Sequence, residues 1–511
     1  MKTLADLLER SERFFPDVEA VVCEDVRRTY RELLERGRRL ANGLAGLGVL
    51  PQDRVGMLAM NCPEYFDYFT ACHLAGFIAS TVNFRLAPPE AQFIINDAAQ
   101  SVLIFEDTYT ELVSSIRDHL PSVKVYICIG DKTPPWAVSY ETLIASASTQ
   151  APAYRPKPED PAHLIYTSGT TGRPKGVIRS QAGALSMAYS QAMMMEMKVN
   201  GRILIMMPMF HLGAISMFLP QQLHGGTVFL HRNFDPEAIL ADIEREKVIT
   251  THMAPTMVQM LLDHPNIQAY DLSSLETLCY SAASMPVALL KQALDVFGPI
   301  FLNSWGATEG IGTALAKQFH KLEGSEQEIG RLASIGQPQQ GSDIRIVDDN
   351  GNDCPIGQPG EMLLRSGNLM SYYWNNSAAT IEALRGGWYH SGDIAYADEQ
   401  DFLFLVDRKK DMIISGGENI YSQEVEQALM HHPGVADCAV IGVPDEKWGE
   451  SVKAIVVAAQ ETVLCAEDLI EHCTTLIARY KRPKSIAFVD TLPRLPSGKV
   501  NKVELRQNYP S

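Results

Sequence analysis

Tyr166-Thr167-Ser168-Gly169-Thr170-Thr171-Gly172-Arg173-Pro174-Lys175-Gly176 is the run on which the reading of this chain turns. The apolar Leu164-Ile165 before it read as a buried strand, and a helical pattern from about Gln181 to Met197 follows. Three glycines and four hydroxyl side chains share one loop with Lys175. Glycines let backbone N–H groups approach phosphate oxygens, hydroxyls donate further bonds and the lysine supplies charge, so the loop suits a polyphosphate. It has no Gly-x-x-x-x-Gly-Lys-Ser/Thr spacing and so is not a Walker A loop, and no Gly-x-Gly-x-x-Gly follows a strand. A loop of this composition is by itself an ordinary surface loop; eleven residues in this order are far more specific.

Outward from the loop, short apolar runs alternate with amphipathic stretches in both directions, the pattern of an α/β chain of layered sheets and helices. Ile203-Leu204-Ile205-Met206-Met207 reads as a buried strand. Asp235 caps a helix that has Pro236 at its first position, Val248 to Met253 is a strand, and Pro255 to Leu262 is the next helix. Around residue 340 the texture changes, and Gly341, Asp348, Asp349, Gly351, Pro355 and Gly357 punctuate short strands such as Ile344-Arg345-Ile346-Val347. Beyond Asp411 a compact α+β module is expected. Its helices fall at about 423–431 and 466–478, and its strands at about 437–443, 451–458 and 485–490. The charged run Asp407-Arg408-Lys409-Lys410-Asp411 precedes the module, and the domain boundary is placed there, giving residues 1–409 and 410–511.

A length of 511 residues implies more than one domain. With 46% hydrophobic and 21% charged residues the chain is neither disordered nor fibrous. Lys and Arg number 44 against 61 Asp and Glu, a net charge of −17. Such a chain is a poor partner for nucleic acid or an anionic membrane surface, and anionic substrates must be met by local cationic patches. Nine cysteines, an odd number without a Cys-x-x-Cys, argue for buried reduced thiols rather than disulfides or zinc. Asp6 and Glu9 stand where a signal peptide has its apolar stretch, and no apolar run approaches the ~18–20 residues of a membrane span, so a soluble cytoplasmic protein is expected.

Further motifs stand in order after the loop: Trp305-Gly306-Ala307-Thr308-Glu309, Tyr389-His390-Ser391-Gly392-Asp393, the Asp407–Asp411 run, Ser415-Gly416-Gly417-Glu418-Asn419-Ile420 and Pro496-Ser497-Gly498-Lys499-Val500. Together they resemble, in order and spacing over essentially the whole chain, the adenylate-forming superfamily of acyl-CoA synthetases, aryl-CoA ligases, peptide-synthetase adenylation domains and luciferases. The resemblance is strongest to bacterial fatty-acyl and aryl-acid CoA ligases, through Gly416-Gly417-Glu418-Asn419 and Val443-Pro444-Asp445-Glu446-Lys447-Trp448-Gly449-Glu450. It implies a large N-terminal domain of stacked α/β sheets with a barrel-like portion, and a small mobile α+β C-terminal domain. It also implies ATP and CoA as cosubstrates and Mg2+ as the metal.

By that resemblance Thr167, Ser168, Gly169, Thr170, Thr171, Gly172 and Lys175 cradle the β- and γ-phosphates. Ser281, Ala282 and Ala283 wall the adenine and acyl site, and Trp305, followed by Gly306, takes the adenine face where most relatives carry tyrosine. Thr308 contacts the α-phosphate, Glu309 holds Mg2+, and Asp393 accepts from the ribose hydroxyls beside Arg408. Lys499 stabilises the charge that builds during adenylation. Lys410 is the pivot about which the C-terminal domain swings to bring the Gly416-Gly417 loop to the pantetheine tunnel. Arg85, Trp448, Tyr480, Arg482 and Lys484 receive the nucleotide end of CoA, and His211 borders the acyl site.

Met206, Met207, Met209, Met217, Met253, Met257 and Met260 surround the segments expected at that acyl site, and no charged residue stands out there for a second carboxylate. A flexible thioether adapts to an irregular apolar ligand, although such methionines also serve as plain core. The expected substrate is an apolar monocarboxylic acid, and the sequence leaves fatty, alicyclic and aromatic acids open. Two other activities share these motifs: a stand-alone adenylating enzyme that loads a separate carrier protein, and a luciferase-like oxygenase. A homodimer is one option that the sequence does not decide.

Overall fold

The computed structural model describes residues 1–167, 174–281, 285–415, 418–445, 447–459, 462, 464–495 and 499–510. The chain divides into two compact units. The first is Met1–Thr167, Pro174–Asp343 and Leu364–Tyr389; the second is Ile344–Leu363 and the described residues from His390 onward.

In the first unit, two mainly parallel sheets carry the fold. One has nine strands among the described residues, in the order Gln337–Pro338, Gly310–Leu315, Phe301–Ala307, Thr277–Tyr280, Thr250–Met253, Arg202–Ile205, Thr227–Leu230, Glu19–Cys23, Val26–Thr29. The other has eight, in the order Tyr372–Tyr373, Gly176–Ser180, Pro161–Tyr166, Ile78–Thr81, Arg54–Leu58, Val102–Glu106, Val125–Ile129, Val138–Ser139. Strands such as Ile78–Thr81, Val102–Glu106 and Thr227–Leu230 are buried at every position, as parallel strands covered on both faces must be. Helices without a polar face fill the space against them. Glu64–Ala75 is buried from Tyr65 to Ala75, and Leu212–Leu223 from Ala214 to Gln222. One continuous core joins Val55 and Ile104 of the eight-stranded sheet, Phe66 and Phe218 of these helices, and Ile203 and Val228 of the nine-stranded sheet. Asp67 is wholly buried within it, held by Arg28 Nη1 and Arg36 Nε at 2.9 Å each; burial outweighs the arginines and pushes its carboxyl up to about 6.

Most of a four-stranded sheet, in the order Ser342–Val347, Gly360–Ser366, Tyr389–Ala397, Leu403–Arg408, belongs to the second unit. That unit also holds the α+β module. There the long hairpin Val435–Asp445 with Gly449–Ala458 is flanked by Ser485–Phe488, pairing parallel, and by the short strand Ile413–Ser415. Helices Ser422–Met430 and Ala466–Leu476 cover it through Val425, Leu429, Leu469 and Cys473, packed on Val440, Val452 and Ala454.

The expected elements fall where the sequence puts them, several with shortened ends: the strand expected from Val248 begins at Thr250, the helix expected to about 478 ends at Leu476, and the strand expected to about 490 ends at Phe488. The strand at Ile203 stops at Ile205, because the chain turns at Pro208, where the His211 N–H donates to the Pro208 carbonyl at 3.0 Å. The helix from Gln181 ends at Met194. Asp235 caps Pro236–Glu246 as read, its Oδ1 accepting from the N–H groups of Glu237 and Ala238. All nine cysteines are free; Cys354 is half-buried, Cys465 is exposed and the others are buried. No helix among the described residues is long and apolar enough to cross a membrane.

Candidate active site

The glycine-rich run connects two antiparallel strands, Pro161–Tyr166 and Gly176–Ser180, and the Thr167 N–H donates to the Lys175 carbonyl at 3.0 Å to close its base. Ser168, Gly169, Thr170, Thr171 and Gly172 lie outside the described residues, as do Ala282, Ala283, Gly416 and Gly417. At the far side of the loop Gly176 is required by space. A Cβ there would sit 2.7 Å from Leu164 Cδ1 and 3.2 Å from Trp374 Cβ. His163, in the entering strand, is buried with its Nε2 2.7 Å from Nε2 of the equally buried His73, so the two rings share one hydrogen bond as neutral imidazoles. Burial pushes His73 down to about 3, and it depresses His163 strongly as well.

Thr308 and Glu309 form the two-residue turn of a hairpin, between Phe301–Ala307 and Gly310–Leu315. The register shifts at Trp305/Gly306, just before the turn, a bulge of the sort that re-aims side chains beside a site. Trp305 is buried and its ring limits Gly312, where a Cβ would lie 3.2 Å from Trp305 Cζ3. Glu309 is buried too. The Tyr373 hydroxyl donates to its Oε1 at 2.6 Å, and Lys175 Nζ lies 4.9 Å from the Tyr373 ring centroid. Burial first, and then the Glu309 carboxylate, push the Tyr373 phenol well up, so it serves as a neutral donor. Tyr373 and Arg179 belong to this cluster and are missed by motif reading. Arg179 is fully buried and donates to the carbonyls of Thr308, at 2.8 Å, and Asn368. A single arginine within the apolar Val177-Ile178-Arg179 strand was the available signal.

His211 stands at the N-terminus of the helix Leu212–Leu223, with its ring 4.3 Å from Phe210. Phe210 meets Phe84 edge-on at 5.4 Å, and the Arg85 guanidinium lies 5.1 Å from the Phe84 ring centroid. The structure therefore brings the acyl-site and CoA candidates of this unit within two ring contacts. Ser281 follows the strand Thr277–Tyr280, its Oγ 2.6 Å from Nε2 of buried His252, another residue that motif reading passes over. Of the methionines, Met206, Met209, Met217 and Met253 are core, Met207 and Met257 are partly buried, and Met260 is exposed.

In the second unit Asp393 and Arg408 are direct cross-strand partners, with Oδ1 and Nε 2.6 Å apart. Asp393 is 3% exposed, and its N–H donates to Ser391 Oγ at 3.0 Å. Lys410 lies in the turn after Leu403–Arg408 and is exposed, and desolvation of its ammonium pulls it below the usual lysine range. Asp407, just before it, accepts from the backbone N–H and hydroxyl of Ser422, and Lys502 Nζ reaches Ser422 Oγ at 2.6 Å and Glu426 at 2.8 Å. Arg506 pairs with Asp411 at 2.9 Å on the other side of Lys410. Trp448 is exposed, with Lys484 Nζ 5.2 Å from its ring centroid and Asp445 binding Lys484 at 3.2 Å. Tyr480, also exposed, and Arg482 lie on the same short segment as Lys484. Lys499 is exposed; its carbonyl accepts from the Leu495 N–H at 2.8 Å, and the next residue, Val500, bridges Arg494.

The donor set suits Mg2+. Glu309 and Thr308 offer hard oxygens, and among the described residues no group of three or more His, Cys, Asp or Glu side chains forms an all-protein metal site. A cation held by one carboxylate and completed by nucleotide phosphates is the usual Mg2+ arrangement.

Known proteins similar to this chain identify its family. The sequence profile of the AMP-binding enzyme family matches residues 8–374, and that of the AMP-binding enzyme C-terminal domain matches residues 424–499. A feruloyl-CoA synthase of an Amycolatopsis species is 38% identical over 502 residues, covering 98% of each chain. A long-chain-fatty-acid–CoA ligase of Mycobacterium tuberculosis is 34% identical over 518 residues, covering 100% of this chain and 99% of the relative. Among solved structures, the o-succinylbenzoate CoA synthetase of Bacillus subtilis in complex with its acyl-adenylate intermediate superposes with a TM-score of 0.87, at 29% identity and covering 98% of this chain and 97% of that one.

Proposed function

This chain belongs to the AMP-binding enzyme family and is an AMP-forming acid–CoA ligase, and on that premise we propose that it activates an apolar monocarboxylic acid, fatty, alicyclic or aromatic. A carboxylate is a poor electrophile with a poor leaving group. Its oxygen attacks the α-phosphorus of ATP, the bond to the β-phosphate oxygen breaks, and pyrophosphate leaves with that electron pair. The CoA sulfur, having given up its proton, then attacks the acyl carbon, and AMP leaves. Both steps bring anions together, so positioning and charge neutralisation are the protein's main tasks.

The observation that carries the reading is the cluster of Lys175, Tyr373, Thr308, Glu309 and Arg179 at the mouth of the glycine-rich loop. Lys175 supplies charge to the phosphates. Thr308 presents its hydroxyl to the α-phosphate, and Glu309, with Tyr373 on one carboxylate oxygen, would hold Mg2+. When bound, Mg2+ supplies positive charge where the phosphates gain negative charge. Asp393, oriented by Arg408, takes the ribose. Lys499, exposed and with its backbone held by Leu495, is the cation delivered for adenylation, and Lys410 is the pivot between domains 1–409 and 410–511. Trp448 with Lys484, Tyr480 and Arg482 combine an aromatic face and cations for the CoA nucleotide, and Arg85 is assigned to CoA by the same resemblance.

The test is pyrophosphate release from ATP and Mg2+ across a panel of fatty, alicyclic and aryl acids, with and without CoA. A CoA-dependent thioester is expected. Adenylate that accumulates without CoA and passes only to a carrier protein would replace this reading with carrier loading, and no response to any acid would end it.

A further inference from the structure

Arg179 is the largest fully buried side chain among the described residues, and burying a guanidinium is costly unless its donors are satisfied. Its strand, Gly176–Ser180, leaves the glycine-rich loop, and its two terminal nitrogens are spent on main-chain carbonyls rather than on an ion pair. One carbonyl belongs to Thr308. The other belongs to Asn368, whose side chain in turn takes both backbone groups of Ile311: Oδ1 accepts from the Ile311 N–H at 3.0 Å, and Nδ2 donates to the Ile311 carbonyl at 2.9 Å. Arg179 thus grips the Thr308–Glu309 turn directly, and a second time through the strand that follows it. On the same strand Val177 pairs with Tyr373, whose hydroxyl meets Glu309. Burial pulls the Arg179 guanidinium down to about 10, the nearby Glu309 carboxylate works against that, and the side chain stays charged at neutral pH.

We propose that Arg179 is a positioning residue for adenylation, locking the Thr308–Glu309 turn to the strand that exits the phosphate loop so that the α-phosphate and the metal meet groups already in place. The assignment rests on the roles given above to Thr308 and Glu309. An arginine fork reaches two carbonyls at once, which neither lysine nor methionine can do. Supporting partners of this kind are worth about 10–100-fold in metal affinity or activity.

The experiment compares the full-length wild type with Arg179→Met and Arg179→Lys. Adenylation is followed by acid-dependent exchange of labelled pyrophosphate into ATP. Thioesterification is followed from a supplied acyl-adenylate, and ATP binding by calorimetry with and without Mg2+. In Arg179→Met, adenylation is expected to fall about 10–100-fold and the Mg2+-dependent gain in ATP affinity about tenfold, while thioesterification stays within about threefold. Arg179→Lys, which keeps the charge and one bond, is expected to lose adenylation in the same pattern but less. Wild-type rates in both variants overturn the proposal, as does equal loss of both half-reactions. If Arg179→Met does not fold, Arg179→Lys decides by the same criteria, and failure of both to fold marks a purely structural arginine. A wild type without exchange removes the functional reading itself, which separates that failure from failure of the Arg179 assignment alone.

Discussion

Acid should destabilise this protein through histidines that the fold keeps neutral, and His73 allows the size of the effect to be worked out. Its ring is 1% exposed, bonded to His163 and pushed down to about 3 from an ordinary 6.5. The unfolded chain takes up the proton near pH ~6.5 while the folded chain refuses it, so stability is intact above that pH and falls as pH drops toward the folded value. Linkage between these two values gives a loss of ~2 kcal/mol for His73 alone between pH 7 and pH 5. His252 and His320, pushed down to about 4 by burial, act in the same direction. Asp67, raised to about 6, opposes them by ~1 kcal/mol, since its folded form takes up a proton first. The informative quantity is therefore a difference between proteins. Urea unfolding at pH 7 and pH 5 is measured for the wild type and for His73→Gln, whose amide can still pair with His163. The variant should lose ~2 kcal/mol less stability on acidification. An identical acid-induced loss in the two proteins would refute the assignment of a neutral buried pair.

Three further outcomes follow from the proposed roles. Lys499→Ala should lower acyl-adenylate formation by about 10²–10³-fold while sparing thioesterification of a supplied acyl-adenylate, and equal loss of both steps in single-turnover assays would remove the lysine from its role. Lys410→Pro, by fixing φ at the pivot, should slow the second half-reaction far more than the first, and equal slowing counts against the pivot. Asp393→Asn keeps the shape of the ribose acceptor but not its charge or its pairing with Arg408. The KM for ATP should rise about tenfold or more with a smaller change in kcat, and an unchanged KM would place the nucleotide elsewhere.

The layered α/β fold was legible from periodicity alone, because strands such as Val102–Glu106 are apolar at nearly every position and helices such as Pro236–Glu246 carry their cap and first-turn proline in the sequence. The candidate site was legible only where a motif had an ordered pattern: Thr308, Glu309, Asp393 and Lys499 were named from motifs. Arg179, Tyr373 and His252 were not, since their importance lies in contacts across about 30 to 190 residues of chain, and no local spacing records such pairings. The Asp393–Arg408 pair lies between these cases. Both residues sit in recognisable motifs, but their direct opposition depends on the register of two strands joined by a turn.

The carboxylate of Asp407 and the ammonium of Lys502 converge on Ser422 from opposite sides of the proposed pivot. A swing of the module about the proposed pivot would break the two charge-assisted bonds that Ser422 donates to Asp407, worth ~1.5–3 kcal/mol each, while Lys502 travels with Ser422. The resting ensemble is then tilted toward the clasped arrangement by a factor of ten or more for each bond lost. Turnover would accordingly be governed as much by how readily water and salt loosen that knot as by the chemistry at phosphorus.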